Sequence, residues 1–209
     1  MTAVSKLASS LNRRDELPNK VFAKQIVAKN DKAAVKELVE NLITKNKGIA
    51  SDCIKVIYEV GLLKPKLIAR YVNELISLLD AKSNRLQWGA MMALNTIANE
   101  DPKSIYAALA KIIAAADEGS VITNDHCAGI LIKLCANKKY ADDAFALLNE
   151  RLLISPENQF PSYAENALPI INVKNKAIFI QTVTSRLSGI EQDTKRRRVE
   201  KILIKLKNK

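Results

Sequence analysis

The sequence predicts an all-α fold, a right-handed solenoid of about six antiparallel helix pairs. Two long segments follow one plan of helix, short polar turn and helix, and they begin 37 residues apart at Pro65 and Pro102. Hydrophobic residues make up 48% of the 209 positions, with only six glycines and six prolines, which suits helices better than a turn-rich β fold. A period of this size is typical of solenoids, whose units bury their apolar faces on their neighbours.

Each repeat is predicted to contain a first helix, A, and a second helix, B. Proline suits the first turn of a helix, because its missing N–H has no intrahelical acceptor to lose there. The A helices are predicted to begin near Asp31, Pro65, Pro102, Lys139 and Lys174. The B helices are predicted to begin near Gly48, Asn84, Thr123, Asn158 and Gln192. Residues 3–13 and 18–29 are predicted to form a further pair.

The apolar residues after Pro65 recur at i, i+3, i+4 and i+7, so they predict one wide buried stripe on that A helix. The stripe consists of Leu67, Ile68, Tyr71, Val72, Leu75, Ile76, Leu78 and Leu79. Small residues on the B helices, Gly89 among them, are expected where two neighbouring helices pass closely. Residues 1–209 are therefore interpreted as a single repeat domain. Its predicted parts are an atypical N-terminal pair at 1–30, the clearest repeats at 65–138 and a basic C-terminal capping helix at 191–209.

The segment 72–98 resembles a HEAT repeat, so the chain is similar to HEAT-like and armadillo-type helical repeat proteins. The residues that carry the resemblance are Leu75, Leu78, Leu79, Asp80, Arg85, Ala90 and Leu94. In that family the turn aspartate and the arginine commonly form a ladder along the stack, which the resemblance implies for Asp80 and Arg85. The next repeat has Thr123 where the arginine would stand, so the ladder is expected to stop there.

In HEAT-like arrays the B helices line the inner, concave surface. Aligning the B helices gives columns that mix aromatic, basic and amide side chains, unlike the aliphatic columns beside them. The candidate binding residues on this surface are Lys55, Trp88, Asn95, His126, Lys133 and Arg198. Trp88, the one tryptophan, has two interpretations: a core residue between repeats, or a rigid aromatic anchor for a partner.

The net charge of +11 is concentrated at the two ends, with +4 in residues 1–30 and +8 in residues 174–209. The candidate basic patch on the last helix consists of Arg196, Arg197, Lys201 and Lys205. Three of these residues, Arg197, Lys201 and Lys205, are spaced four apart and make one ridge. Such a ridge is either the solvated outer face of a capping helix or a surface that attracts an anionic partner such as nucleic acid.

No catalytic motif is present, and the single histidine, His126, lacks neighbouring metal ligands, so neither a metal nor a cofactor is expected. The sequence therefore predicts a non-catalytic scaffold that binds a protein partner on its concave surface. Nucleic-acid binding through the basic residues is the alternative. A weaker similarity to the HEAT-like alkylpurine DNA glycosylases implies a minor enzymatic possibility, although one tryptophan cannot supply that family's several aromatic residues.

The three cysteines, Cys53, Cys127 and Cys135, lie among apolar neighbours and are expected to act as small buried hydrophobes. Their odd number and the absence of a signal-peptide pattern at the N-terminus favour a cytoplasmic location. No uninterrupted apolar stretch approaches the length of a membrane span, so no membrane partner is expected.

Overall fold

The computed structural model describes residues 2–207, and within this range the chain forms twelve α-helices joined by short 3₁₀ turns. The helices are α1 (Leu17–Lys29), α2 (Lys32–Glu40), α3 (Lys47–Leu63), α4 (Val72–Ser77), α5 (Asn84–Ile97), α6 (Pro102–Ala107), α7 (Leu109–Asp117), α8 (Val121–Cys135), α9 (Ala141–Ile154), α10 (Phe160–Ala167), α11 (Lys176–Leu187) and α12 (Asp193–Lys207). No strand occurs among these residues. The predicted all-α fold is confirmed.

The helix starts agree with the predicted repeat to within about two residues. The A helices are α2, the segment from Pro65, α6 with α7, α9 and α11, and the B helices are α3, α5, α8, α10 and α12. Side-chain caps explain several starts, because an oxygen at the N-cap accepts from an otherwise unbonded amide of the first turn. Asp31, Asn46 and Asp101 cap α2, α3 and α6 in this way.

The helix predicted at residues 3–13 is wrong: only Val4–Lys6 is helical, as one 3₁₀ turn. Four amides of this segment donate to side chains from elsewhere, and others close local backbone turns, so these amides are satisfied without a continuous helix. Ala8 N–H donates to the buried Asn19 (2.9 Å), and Ser9 N–H donates to Asp52 (2.7 Å). Glu37 accepts from the amides of Ala3 and Val4 in the same manner.

The A helix that begins at Pro65 is not continuous. It consists of 3₁₀ turns at Pro65–Leu67, Ala69–Tyr71 and Leu78–Asp80 around the six-residue α4. Lys64 precedes a proline and is held out of the α region, with φ −152° and ψ 78°, so the chain enters the segment through a tight turn. The predicted apolar stripe is nevertheless buried, except for the half-buried Ile76.

The described residues divide into two compact units, one ending at Cys127 and the other beginning at Ala128. In the first unit α3 packs against α1 on one side and α5 on the other. Two glycines permit this approach: a Cβ at Gly61 would lie 2.3 Å from Thr96 Oγ1, and one at Gly89 would lie 2.7 Å from Ile54 Cγ1. The close passage predicted at Gly89 is confirmed.

In the second unit α12 packs against α10 and α11, and α11 also packs against α9. The apolar side of α12 buries Val199, Ile202 and Leu206. The last two residues of the helix predicted at 191–209 lie outside the described residues. The interpretation of 1–209 as a single domain stays a prediction.

The ladder implied by the HEAT resemblance does not form between Asp80 and Arg85. Asp80 binds Lys111 of α7 instead, with 2.6 Å between Nζ and Oδ2, and Arg85 binds Glu16. The Asp80 side chain is 74% exposed, so its ion pair contributes little to stability. Arg85 does not pair with Asp80, because the carboxylate of Glu16, just before α1, lies against the face of α5 that carries Arg85.

Candidate functional site

Charged and aromatic side chains of α3 and α5 meet the segment before α1 in one group, which we name the aromatic–cation cluster. Its members are Glu16, Lys55, Tyr58, Glu59, Arg85 and Trp88. Two of them, Lys55 and Trp88, are sequence-predicted site residues. All six belong to the first compact unit.

Helical spacing places these side chains together. Lys55 and Tyr58 on α3, and Arg85 and Trp88 on α5, are each three residues apart and therefore lie on one helix face. Lys55 Nζ lies 4.8 Å from the centroid of the Tyr58 ring, and Arg85 Cζ lies 4.4 Å from that of Trp88. The two rings are 5.8 Å apart at an interplanar angle of 44°, so the two cation–aromatic pairs form one continuous layer.

Lys55 is the buried centre of the cluster, with 6% of its side chain exposed. Its ammonium lies 2.8 Å from a carboxylate oxygen of Glu16 and 2.8 Å from one of Glu59. Burial alone would lower the pKa of Lys55, but the hydrogen bonds to these carboxylates outweigh it and raise the pKa above its usual value. Lys55 therefore holds the cluster together by binding two carboxylates of the same chain.

Trp88 is half-buried, and its environment combines both interpretations drawn from the sequence. The indole contacts the Tyr58 ring and the Arg85 guanidinium, and the residue as a whole remains partly exposed. The Arg85 side chain is 29% exposed at the rim. A rigid aromatic side chain beside an accessible guanidinium is a combination that is enriched where proteins bind partners.

Asn95 and His126 form a hydrogen-bonded pair between α5 and α8. The Asn95 amide nitrogen lies 3.0 Å from Nδ1 of His126. An amide NH₂ can only donate, so Nδ1 of His126 is the acceptor in this contact. Both side chains are half-buried, and Asn95 stands two turns after Trp88 on the same helix.

The two remaining candidates from the B helices belong to the second unit. Lys133 on α8 is half-buried, and burial lowers the pKa of its ammonium. Arg198 on α12 donates from Nε and Nη2 to the two carboxylate oxygens of Glu165 (2.9 and 2.7 Å) and from Nη2 to Ser162 Oγ (3.0 Å). Such a bidentate arrangement fixes the guanidinium, and it lowers the pKa of the Glu165 carboxyl.

The predicted basic patch on α12 separates into two parts. Arg197, Lys201 and Lys205 are exposed and spaced four residues apart, so they form the predicted ridge. Arg196 is directed elsewhere: Nε and Nη2 both donate to the carbonyl oxygen of Ile190, at 3.1 and 2.7 Å. Its guanidinium thereby fixes the turn before α12.

Sequence reasoning missed four members of the cluster as site residues: Glu16, Tyr58, Glu59 and Arg85. Three of them carry a local signal that could have identified them, since Tyr58 and Glu59 follow Lys55 by three and four residues and Arg85 precedes Trp88 by three. Glu16 carries no such signal. It is 69 residues from Arg85 in the sequence, and only the packing of α1 against α3 brings it to the cluster.

Residues 2–207 contain no group of three or more His, Cys, Asp and Glu side chains that could hold a metal ion. Cys53 and Cys127 are buried and Cys135 is half-buried. Burial raises the pKa of the Cys53 and Cys135 thiols to about 12, so these thiols stay protonated at neutral pH. Over the same residues, no helix has the length and apolar character that crossing a membrane requires.

Neither a protein-family profile nor a curated protein sequence matches this chain. Solved structures of designed repeat proteins do match it along nearly its whole length. A designed armadillo repeat protein in complex with a (KR)4 peptide is 15% identical with a TM-score of 0.68, and the match covers 96% of each chain. An armadillo protein designed for modular peptide recognition is 15% identical with a TM-score of 0.67, covering 96% of this chain and 97% of that one.

An engineered protein is 19% identical with a TM-score of 0.66, and the match covers 100% of this chain and 98% of that one. At these identities the similarity shows the fold alone. Together with the all-helical structure, it confirms the fold predicted from the repeat. The chain has an all-α helical-repeat fold that is similar to the fold of designed armadillo repeat proteins.

Proposed function

We propose that this chain is a non-catalytic scaffold that binds a segment of a protein partner on the face shared by α3 and α5. The observation that carries the proposal is the half-exposed Trp88, fixed between Tyr58 and Arg85. The indole is already ordered, so a partner that covers it gains apolar burial at little cost in side-chain entropy.

The structural neighbours support a peptide-like partner. One of them is in complex with a short peptide, and another was designed for modular peptide recognition. Both have the same repeat architecture along nearly their whole length. A linear segment of a partner protein is therefore the first type of ligand to test.

The experiment is a display selection of random linear peptides against the purified chain, followed by anisotropy titrations with labelled peptides. We expect Trp88→Ala to weaken selected peptides by at least about tenfold, because truncating a central aromatic anchor typically removes this much affinity or more. The matched control is Tyr106→Ala, which removes a half-buried aromatic side chain from α6, an A helix. Equal losses in both variants would argue against a site at Trp88.

The same variant has an expected effect on stability. Trp88 is half-buried, so its truncation should lower the free energy of unfolding by about 1–2 kcal/mol, below the about 3–5 kcal/mol of a fully buried tryptophan. Urea denaturation followed by circular dichroism measures this loss. A loss above about 3 kcal/mol would make Trp88 a core residue and would favour the structural interpretation.

Nucleic-acid binding is the second candidate function, and the exposed ridge Arg197, Lys201 and Lys205 favours it. We expect the double variant Lys201→Gln, Lys205→Gln to bind labelled single- and double-stranded oligonucleotides more weakly at about 50 mM salt. The slope of log K against log salt concentration should become less steep by about 2, because each lost phosphate contact removes about 0.9 from it. The control, Lys20→Gln with Lys24→Gln, alters an equally spaced exposed pair on α1. Equal effects would indicate attraction by net charge alone.

A further inference from the structure

We propose that the aromatic–cation cluster recognises carboxylates of an acidic peptide segment, and that Glu16 is an occupant of this site from the same chain, which the partner displaces. This inference rests on the proposed scaffold function and specifies the chemistry of the partner. The carboxylate of Glu16 is already bound in this site. The geometry of Glu16 therefore shows which ligand group the site accepts.

Both oxygens of the Glu16 carboxylate are bound by cations of different B helices. Oε1 lies 2.7 Å from Arg85 Nη2 on α5, and Oε2 lies 2.8 Å from Lys55 Nζ on α3. These hydrogen bonds lower the pKa of the Glu16 carboxyl, with the bond to Lys55 as the largest cause. A carboxylate that bridges two helices in this way is a defined ligand position rather than a diffuse attraction.

Glu16 can leave this position without disturbing the fold around it. It stands at the N-cap of α1, yet its side chain makes no capping hydrogen bond to that helix. Its side chain is 44% exposed, so the site opens to solvent on the side that Glu16 covers. Rotation of one side chain would therefore vacate the site while α1 stays in place.

The charge that remains after displacement favours an acidic occupant. With Glu16 in place, the cations of Lys55 and Arg85 are balanced by Glu16 and Glu59. Without it, one positive charge is left beside the Trp88 ring, and a carboxylate from a partner restores the balance. A segment such as the (KR)4 peptide of the designed neighbour would instead bring like charges together.

The Arg85 guanidinium is prepared for this role because it is stacked on Trp88 and needs little further ordering. Its bond to Glu16 uses Nη2, and a guanidinium has five N–H donors in a planar fork. The net charge of +11 adds a long-range attraction for acidic partners, which raises the rate of encounter.

The test uses the full chain and a fluorescently labelled octaglutamate peptide, with octalysine and a (Gly-Ser)4 peptide for comparison. We expect Glu16→Gln to bind octaglutamate about tenfold more tightly than the unaltered chain. If Glu16 occupies the site about 90% of the time, only about a tenth of the molecules can bind the peptide, and the variant removes this competition. Glu74→Gln, an exposed residue of α4, removes the same charge elsewhere and should have little effect. Unchanged or weaker binding in Glu16→Gln would overturn the displacement.

The contribution of Arg85 is separated from general electrostatics by a paired variant. In the Glu16→Gln background, Arg85→Gln should weaken octaglutamate at least about tenfold, because a buried or stacked charge contact is lost. Arg70→Gln is the control, since Arg70 also lies over an aromatic ring, that of Tyr71 at 5.4 Å, and is exposed. Equal losses in the two variants would overturn the assignment. If Arg85→Gln fails to fold, Arg85→Lys, which keeps the charge and loses the fork, replaces it.

Other outcomes separate the two proposals. If the selected peptides are neutral or basic and Trp88→Ala weakens their binding, the acidic partner is refuted while the scaffold function is supported. An oligonucleotide such as dT8 that binds more tightly than octaglutamate, with the same dependence on Arg85, would assign the site to phosphate and refute the acidic peptide. The absence of any Trp88-dependent peptide would refute both.

Discussion

The Lys55→Met variant is expected to lose about 2–3 kcal/mol of unfolding free energy. Removing one partner of a buried ion pair typically costs about 3–5 kcal/mol, because the remaining charge is left uncompensated in a poorly hydrated place. Here Glu16 keeps its ion pair with Arg85, so the uncompensated carboxylate is that of Glu59, whose side chain is 21% exposed. Partial hydration of this group places the expected loss at or below the lower end of that range. Urea denaturation measures it.

A second variant distinguishes charge from packing. Adding Glu59→Gln to Lys55→Met removes the stranded charge, while Glu16 keeps its ion pair with Arg85, and should recover most of the loss, because neutral replacements of a buried ion pair are often tolerated. No recovery would mean that the aliphatic stem of Lys55, rather than its ammonium, carries the stability. The pKa of Lys55 is raised in the folded state from its usual 10.5, so its contribution is fully present at neutral pH and is lost as the pH rises above about 10.5. The pKa of Glu16 is lowered from its usual 4.5, so its share of the stabilisation is lost as the pH falls below about 4.5.

Gly61→Val is expected to lower the free energy of unfolding by about 3 kcal/mol. The new Cβ would lie 2.3 Å from Thr96 Oγ1 and 2.7 Å from the Ile68 side chain, so α3 and α5 would have to separate or Thr96 would have to rotate. Thr96 Oγ1 also donates to the carbonyl oxygen of Ala93 at 2.7 Å, which resists that rotation. Overpacking of this kind typically costs about 1–3 kcal/mol, and the gain in helix propensity over glycine, below about 1 kcal/mol, does not offset it.

The control for this variant is Gly189→Ala, because a Cβ there has its nearest contact at 3.8 Å. We expect a change within about 0.5 kcal/mol at this position. The rescue variant is Gly61→Ala with Thr96→Ala, which removes the atom of closest approach and should be more stable than Gly61→Ala alone. A tolerated Gly61→Val would show that α3 and α5 separate easily.

Local sequence signals predicted most of the fold. Pro102 and Asn84 each begin the helix expected of them, because proline geometry and the start of an apolar period act over a few neighbouring residues. The helix expected at 3–13 fails for the opposite reason. Four of its amides donate to Asn19, Glu37 and Asp52, and no local pattern shows that distant side chains will replace helical bonds.

The candidate site was predicted less completely. Repeat alignment found Trp88 and Lys55, because equivalent positions in a solenoid share an environment. It could not show that Lys55 is enclosed, since this depends on Glu16, which stands outside the aligned helices and 39 residues earlier. The same distant carboxylate binds Arg85, so Arg85 does not form the ladder with Asp80 that the HEAT resemblance implied.

The position of Glu16 has a further consequence for any ligand of the cluster. A group attached to the same chain competes at an effective concentration of about a millimolar or more, whatever the amount of protein present. A partner with one isolated carboxylate, at the micromolar concentrations common for proteins, is outcompeted by this tethered group. A peptide with several adjacent carboxylates raises the local concentration of carboxylate at the site and can therefore displace Glu16. Under the proposed displacement, Glu16 therefore favours partners that carry several adjacent carboxylates over partners that carry one.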